Sequence, residues 1–174
     1  MTCYLLPIEK PEAIYSLRIL RFNPETDDAP HWESYQIPYV QTMTVVEALE
    51  YLWDQGEYIA FRTNCREFTC GSCAMLINGK PQLACDTLLE DKMQLEPLSR
   101  YAVLRDLVVE NNVMIEKVKE LEYWPKTETR ERNFEVSAKV MTDYGEIYSR
   151  CIECGCCLEA CPASYNEKSK FIGP

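Results

Sequence analysis

At 174 residues the chain has room for one large domain or two small ones. Its formal net charge of -10 argues against a nucleic-acid partner, whose phosphates would be repelled, and apolar runs such as Cys73-Ala-Met-Leu-Ile77 fall far short of the roughly twenty residues that cross a bilayer. Ten cysteines imply either a disulfide framework or metal ligands. The opening Met1-Thr-Cys-Tyr-Leu-Leu-Pro7 shows no basic n-region, long apolar run or small-residue cleavage site, so no secretory signal is expected. Reduced thiols in the cytoplasm follow as the expectation.

Taken in chain order, residues 14–22 set Tyr15, Leu17 and Ile19 on one side at period two, the pattern of a half-buried strand. The turn-forming run Asn23 to Pro30 precedes a second alternation, Tyr35, Ile37 and Tyr39, so the two segments predict a β-hairpin with a long loop. Pro38 lacks an N–H and favours an edge position for the second arm. Thr44-Val45-Val46-Glu47 has the form of a capping box, and Val45, Ala48, Leu49, Leu52 and Trp53 continue a helical stripe that ends near Gly56. Short strands are expected at 74–77, 82–85 and 93–95, with Asn78-Gly79 as the tight turn between the first two. From Val103 onward the apolar spacing is helical: Leu104, Leu107 and Val108, then Val113, Met114, Val118 and Leu121. The charged, proline-broken stretch 124–133 reads as a surface connection. The predicted fold class is therefore α+β, with a small unit of strands, one helix and a Cys-rich loop over 1–102 and a helical unit over 103–174.

Two cysteine constellations carry the chemistry. Cys65, Cys70 and Cys73, followed at a distance by Cys85, have the C-x4-C-x2-C…C spacing of a plant-type [2Fe-2S] site. Two irons need four thiolates converging from a loop whose amides turn toward the sulfurs, and Gly71 supplies the conformational freedom for that turn. A zinc knuckle built on Cys70 and Cys73 is the bland alternative. The second run, Cys151-Ile-Glu-Cys154-Gly-Cys156-Cys157-Leu-Glu-Ala-Cys161-Pro162, contains C-x2-C-x2-C-x3-C-P, in which the fourth cysteine ligates the other cluster of a pair. Cys151, Cys154 and Cys157 can cap three corners of a [4Fe-4S] cube; residues 163–174 offer no fourth thiolate, Cys156 reads as a packed bystander, and Cys3 is a remote candidate. His31, the single histidine, falls in the hairpin loop and reads as a surface residue. Tyr15, Trp32, Tyr35 and Tyr39 read as packing residues. No nucleophile–base pair or phosphate loop stands out, so no catalytic residue is assigned.

The stretches Asn64 to Glu67, Cys70 to Met75, Asn78 to Lys80, Leu83 to Cys85, Val103 to Glu110, Cys151 to Pro162 and Phe171 to Pro174 together resemble the iron–sulfur subunits of succinate dehydrogenase and fumarate reductase. The resemblance covers nearly the whole chain. It implies a β-grasp ferredoxin-like domain followed by a helical, bacterial-ferredoxin-like domain. Its further implications are a [4Fe-4S] cluster on Cys151, Cys154 and Cys157, a neighbouring [3Fe-4S] or [4Fe-4S] cluster reached by Cys161, and FAD on a flavoprotein partner subunit. A membrane-anchor or other electron-acceptor subunit would hold the chain at the cytoplasmic face of the membrane. The chain would relay single electrons as a non-catalytic subunit of the complex. Family members continue beyond Phe-Ile-Gly-Pro into further helices with a second cysteine motif, so the second domain is expected to be incomplete in this sequence. Tyr165-Asn166 stands where quinone-reactive members often carry tryptophan, which leaves a quinone acceptor unsupported, and Phe68 stands where the family usually has glycine, a difference expected to alter solvent access to the first cluster. An adaptor subunit for another flavoprotein, such as a thiol or heterodisulfide reductase, is the alternative assignment. A molybdenum hydroxylase small subunit shares the first spacing, but the second run counts against it.

Overall fold

A computed structural model describes residue 11, residues 13–110 and residues 151–165. The expectations for Cys3, the helical periodicity over 113–121, the connection at 124–133, Asn166 and the 171–174 signature lie outside the described residues.

Strands β1 (Ala13–Arg21) and β2 (His31–Tyr39) form an antiparallel hairpin around the 23–30 turn region. After helix α1 (Val45–Asp54) come β3 (Ala74–Ile77), β4 (Lys80–Leu83) and β5 (Met93–Glu96). The sheet order is β2-β1-β5-β3-β4, so β2 with its Pro38 is indeed an edge strand. β5 runs parallel to β1 and antiparallel to β3, which makes the sheet mixed. One face of the sheet buries Leu17, Ile19, Ile37, Met75, Ile77, Met93 and Leu95 against Val45, Val46, Ala48, Leu49 and Leu52 of α1. The expected stripes therefore meet in one core, an α+β arrangement. Tyr15, Tyr35 and Tyr39 border that core, Tyr15 and Tyr39 stacking at 4.2 Å, while Trp32 lies outside it under the Arg18 guanidinium, 4.9 Å from the ring centre.

Both halves of the predicted capping box form: the Glu47 N–H donates to Thr44 Oγ1, and the Thr44 N–H donates to the Glu47 carboxylate at 2.6 Å. The next free donors of the helix find partners outside it, Val45 N–H on Thr87 O and Val46 N–H on Ala84 O. That pairing straps the segment containing Cys85 to the start of α1. The Asn78-Gly79 turn is left-handed at both residues, φ 52° and 73°. Because that turn holds two residues only, pairing resumes at once as Ile77↔Lys80, and β4 starts two residues before the predicted strand.

Residues 103–109 correct the predicted helix. They form a two-stranded antiparallel ribbon, β6 (Val103–Arg105) and β7 (Val108–Val109), with an irregular register. Asp106 between them has a φ of 44°, which ends any right-handed turn. Its 2% exposed carboxylate accepts from Arg21 Nε at 3.0 Å, Phe22 N–H at 3.0 Å and Ala60 N–H at 2.8 Å. Leu107 drops into the first core while Leu104 stays exposed, so the three-residue spacing served a ribbon.

A second core lies on the other face of β3. Ala74 and Leu76, the residues alternating with Met75 and Ile77, pack with Leu98, Tyr101, Val103 and Val109 against Leu158. Leu158 belongs to the short helix α2 (Cys156–Ala160), which a 3-10 turn over Pro162–Tyr165 follows. Among the described residues no helix is long and apolar enough to cross a membrane.

Candidate metal centre

The loop joining the end of the first core segment to β3 carries Cys65, Cys70 and Cys73. Its backbone takes an unusual path: Arg66, Phe68 and Gly71 all have positive φ, 58°, 46° and 69°. For arginine and phenylalanine that conformation is costly, and it persists only where surrounding interactions impose it. Here the reward is visible in the amides. The N–H groups of Glu67, Thr69 and Cys70 donate to Cys65 Sγ at 3.4, 3.3 and 3.3 Å. The Phe68 N–H, left over from that set, donates to Cys85 Sγ at 3.3 Å. Successive amides converge on sulfur as they do in backbone nests that hold anions.

Other contacts hold the loop in place. The Arg66 guanidinium pairs with Glu50 of α1, whose carboxyl is pushed up by burial and drawn back by that arginine. Ala84 N–H donates to Cys73 O at 3.1 Å, which brings buried Cys85 beside buried Cys73. The thiols are electrostatically unequal. The Ser72 hydroxyl, 3.1 Å from Cys70 Sγ, together with backbone hydrogen bonds at 65 and 72, draws Cys70 down to about 6. Burial pushes Cys73 up to about 11; the Cys85 backbone amide draws it back and the Cys85 side chain adds to the rise. The thiolate is the form that ligates metal, so Cys70 is closer to its ligating form than Cys73 is.

The second cysteine run lies against this loop. Gly155 caps α2 from a left-handed conformation, φ 79°, and a side chain there would meet the Tyr101 hydroxyl at 2.4 Å. At Gly71 the approach is backbone on backbone: a Cβ would lie 2.4 Å from Ile152 O and 2.9 Å from Cys154 Cβ. Gly71 is thus needed for contact with the second run as well as for its own turn. Cys154, Cys156 and Cys161 are partly covered, and Cys151 and Cys157 are exposed. Burial pushes Cys156 up to about 12, with Cys154, Cys157 and the more distant Cys73 adding to it. A cleft bordered by Gly71, Ser72, Cys73 and Cys154 marks the join of the two motifs.

None of the nine described cysteines is in a disulfide. Among the described residues no three Cys, His, Asp or Glu side chains are grouped as a single metal ion would need. The fit to a larger iron–sulfur group rests on the amides aimed at Cys65 and Cys85, since hydrogen bonds to the ligand sulfurs are among the features that tune such clusters. His31 is the first residue of β2 rather than a loop residue; its ring meets Glu33 at 3.2 Å and Asp27 at 3.8 Å and takes no part in either motif. Sequence reasoning missed Ser72 and Glu159. Ser72 could have been suspected from its place between two cysteines, whereas Glu159 carries no signal before its burial is seen.

The family of 2Fe-2S iron–sulfur cluster binding domains matches residues 16–116. The fumarate reductase iron–sulfur subunit of Haemophilus influenzae is 34% identical over 92% of this chain and 69% of its own length. The succinate dehydrogenase iron–sulfur subunit of Bacillus subtilis is 32% identical over 85% of this chain and 63% of its own length. Among solved structures, a chain of the Mycobacterium smegmatis Sdh1 complex in the apo form superposes with a TM-score of 0.76. It covers 92% of this chain and 70% of that one at 24% identity, a likeness of fold.

Proposed function

The chain belongs to the family of fumarate reductase and succinate dehydrogenase iron–sulfur subunits, and from that premise we propose that Cys65, Cys70, Cys73 and Cys85 hold a [2Fe-2S] cluster. The observation that carries the reading is the set of four amides donating to Cys65 and Cys85 sulfur from a loop with three left-handed residues. Cys151, Cys154 and Cys157 hold a [4Fe-4S] cluster in the same reading, and Cys161 reaches a neighbouring [3Fe-4S] or [4Fe-4S] cluster. When bound, such clusters accept and release single electrons.

The chain is the electron-transfer subunit of an oxidoreductase complex of this type. In our reading it stands between a flavoprotein carrying FAD and a quinone or other acceptor on a membrane-anchor or alternative partner subunit, at the cytoplasmic face of the membrane. Substrate chemistry belongs to the flavoprotein, and this chain's residues have other tasks. The amides of residues 67–70 offset negative charge on sulfur and so favour the reduced state. Ser72 favours thiolate at Cys70. Gly71 permits the two cysteine runs to touch, which shortens the path between them. The domain plan is a β-grasp, plant-type ferredoxin unit over 1–102 and a helical, bacterial-ferredoxin-like unit over 103–174. The 103–109 ribbon is their seam, with Leu107 in one core and Val109 in the other.

Metal analysis of anaerobically purified protein tests this directly. Iron and acid-labile sulfide are expected in the wild type, with part of both lost in Cys65→Ser and a different part lost in Cys154→Ser. Bound zinc with no iron and no visible absorption ends the reading.

A further inference from the structure

Glu159 lies two residues past Cys157 and two before Cys161, and its carboxylate is 4% exposed. A carboxylate so removed from water is costly unless its oxygens are taken. Both are. Ser99 Oγ donates to Oε1 at 2.6 Å and the Arg100 N–H donates to Oε2 at 3.0 Å. The neighbouring contacts extend the grip: the Arg100 guanidinium donates to Cys161 O at 3.4 Å, and the Tyr101 hydroxyl donates to Gly155 O at 3.5 Å. Three consecutive residues of one turn thus hold the start, middle and end of α2.

That helix has five residues, far below the dozen or so at which an isolated helix becomes even marginal, so tertiary contacts must supply its order. Leu158 gives it an apolar seat, but packing of one leucine does not fix rotation about the helix axis. Two hydrogen bonds from adjacent residues to one carboxylate do, because they are charge-assisted and directional. The gripping turn is itself anchored, with Leu98 2% and Tyr101 6% exposed, and it follows β5, the neighbour of the strand into which the first cysteine loop runs. We propose that Glu159 is a positioning residue for electron passage: it fixes the separation and orientation of the second cysteine motif relative to the first. The inference rests on both motifs holding clusters.

The test compares Glu159→Ala and Glu159→Gln in the intact complex, purified anaerobically, by iron and sulfide content and by electron paramagnetic resonance of the reduced protein. Two paramagnetic clusters held close together broaden each other's signals. Glutamine can still accept from the Arg100 N–H and donate to Ser99 Oγ, so Glu159→Gln should retain the wild-type broadening. Glu159→Ala should keep its iron yet lose that broadening. Unchanged broadening in Glu159→Ala overturns the proposal, and so does loss of the second cluster's iron in that variant, which would make the residue merely structural. Should Glu159→Ala fail to accumulate, Ser99→Ala removes one of the same two hydrogen bonds and is read by the same two outcomes. Wild-type protein without iron at the second motif is a separate result: it brings down the cluster reading itself, and the positioning role with it.

Discussion

Replacing Gly71 by alanine acts on the join between the two cysteine motifs. A Cβ at this position lies 2.4 Å from Ile152 O and 2.9 Å from Cys154 Cβ, and the backbone stands at φ 69°. The left-handed conformation costs a non-glycine residue about 1–2 kcal/mol. Overpacking adds about 1–3 kcal/mol more, since the nearest atom is a backbone carbonyl and cannot rotate away. Gly79→Ala supplies the control, because Gly79 has a φ of 73° and nothing within 4 Å of its would-be Cβ. The difference between the two variants isolates the inter-motif contact. Hydrogen exchange is the suitable assay, read at the Glu159 and Cys161 amides, which donate to Gly155 O and Leu158 O. An increment of about 1–3 kcal/mol corresponds to roughly 5- to 150-fold faster exchange there. The reasoning fails if Gly71→Ala leaves those amides as protected as Gly79→Ala does.

Asp106→Ala leaves Arg21 Nε, Phe22 N–H and Ala60 N–H without their acceptor, and breaking a buried pair of this kind should cost about 3–5 kcal/mol in chemical unfolding. Asp106→Asn should cost less, because asparagine keeps an acceptor and tolerates the positive φ; equal losses would refute that account. Cys156→Ala should leave iron and sulfide content unchanged while Cys157→Ala lowers both, and the reverse order would exchange the two assignments. Phe68→Gly removes a left-handed penalty of about 1–2 kcal/mol against roughly 0.5–1 kcal/mol of added chain entropy. It should therefore be neutral to slightly stabilising in the same unfolding assay, and a loss above about 1 kcal/mol would show that the exposed ring makes contacts this account lacks.

What could be read in the sequence was what depends on neighbours a few residues away. Leu17 and Ile19 alternate, Thr44 and Glu47 cap each other, Asn78-Gly79 turns, and each of these outcomes is local. The cysteine intervals are local signals too, but the four amides aimed at Cys65 and Cys85 sulfur are seen only in the folded loop. Residues 103–109 were misread because Leu104, Leu107 and Val108 satisfy a helical spacing. What decides the matter is Asp106, whose three donors come from β1, the residue after it and the 59–61 segment. Gly71 looked like a turn residue only, and its second task appears once Ile152 lies beside it. Glu159 was invisible for the same reason: an acidic residue on a short helix ordinarily faces water, and its donors Ser99 and Arg100 lie 60 and 59 residues away in sequence.

The proposed function requires two separate groups of thiolates on this chain to be bonded to iron. Electron paramagnetic resonance of the anaerobic protein, stepped from fully oxidised to fully reduced with the spins counted, tests it most directly. The account predicts one signal of [2Fe-2S] type that disappears in Cys70→Ser and a second, from the Cys151–Cys161 run, that persists in that variant. A single iron signal, or none in protein that retains all its cysteines, contradicts it.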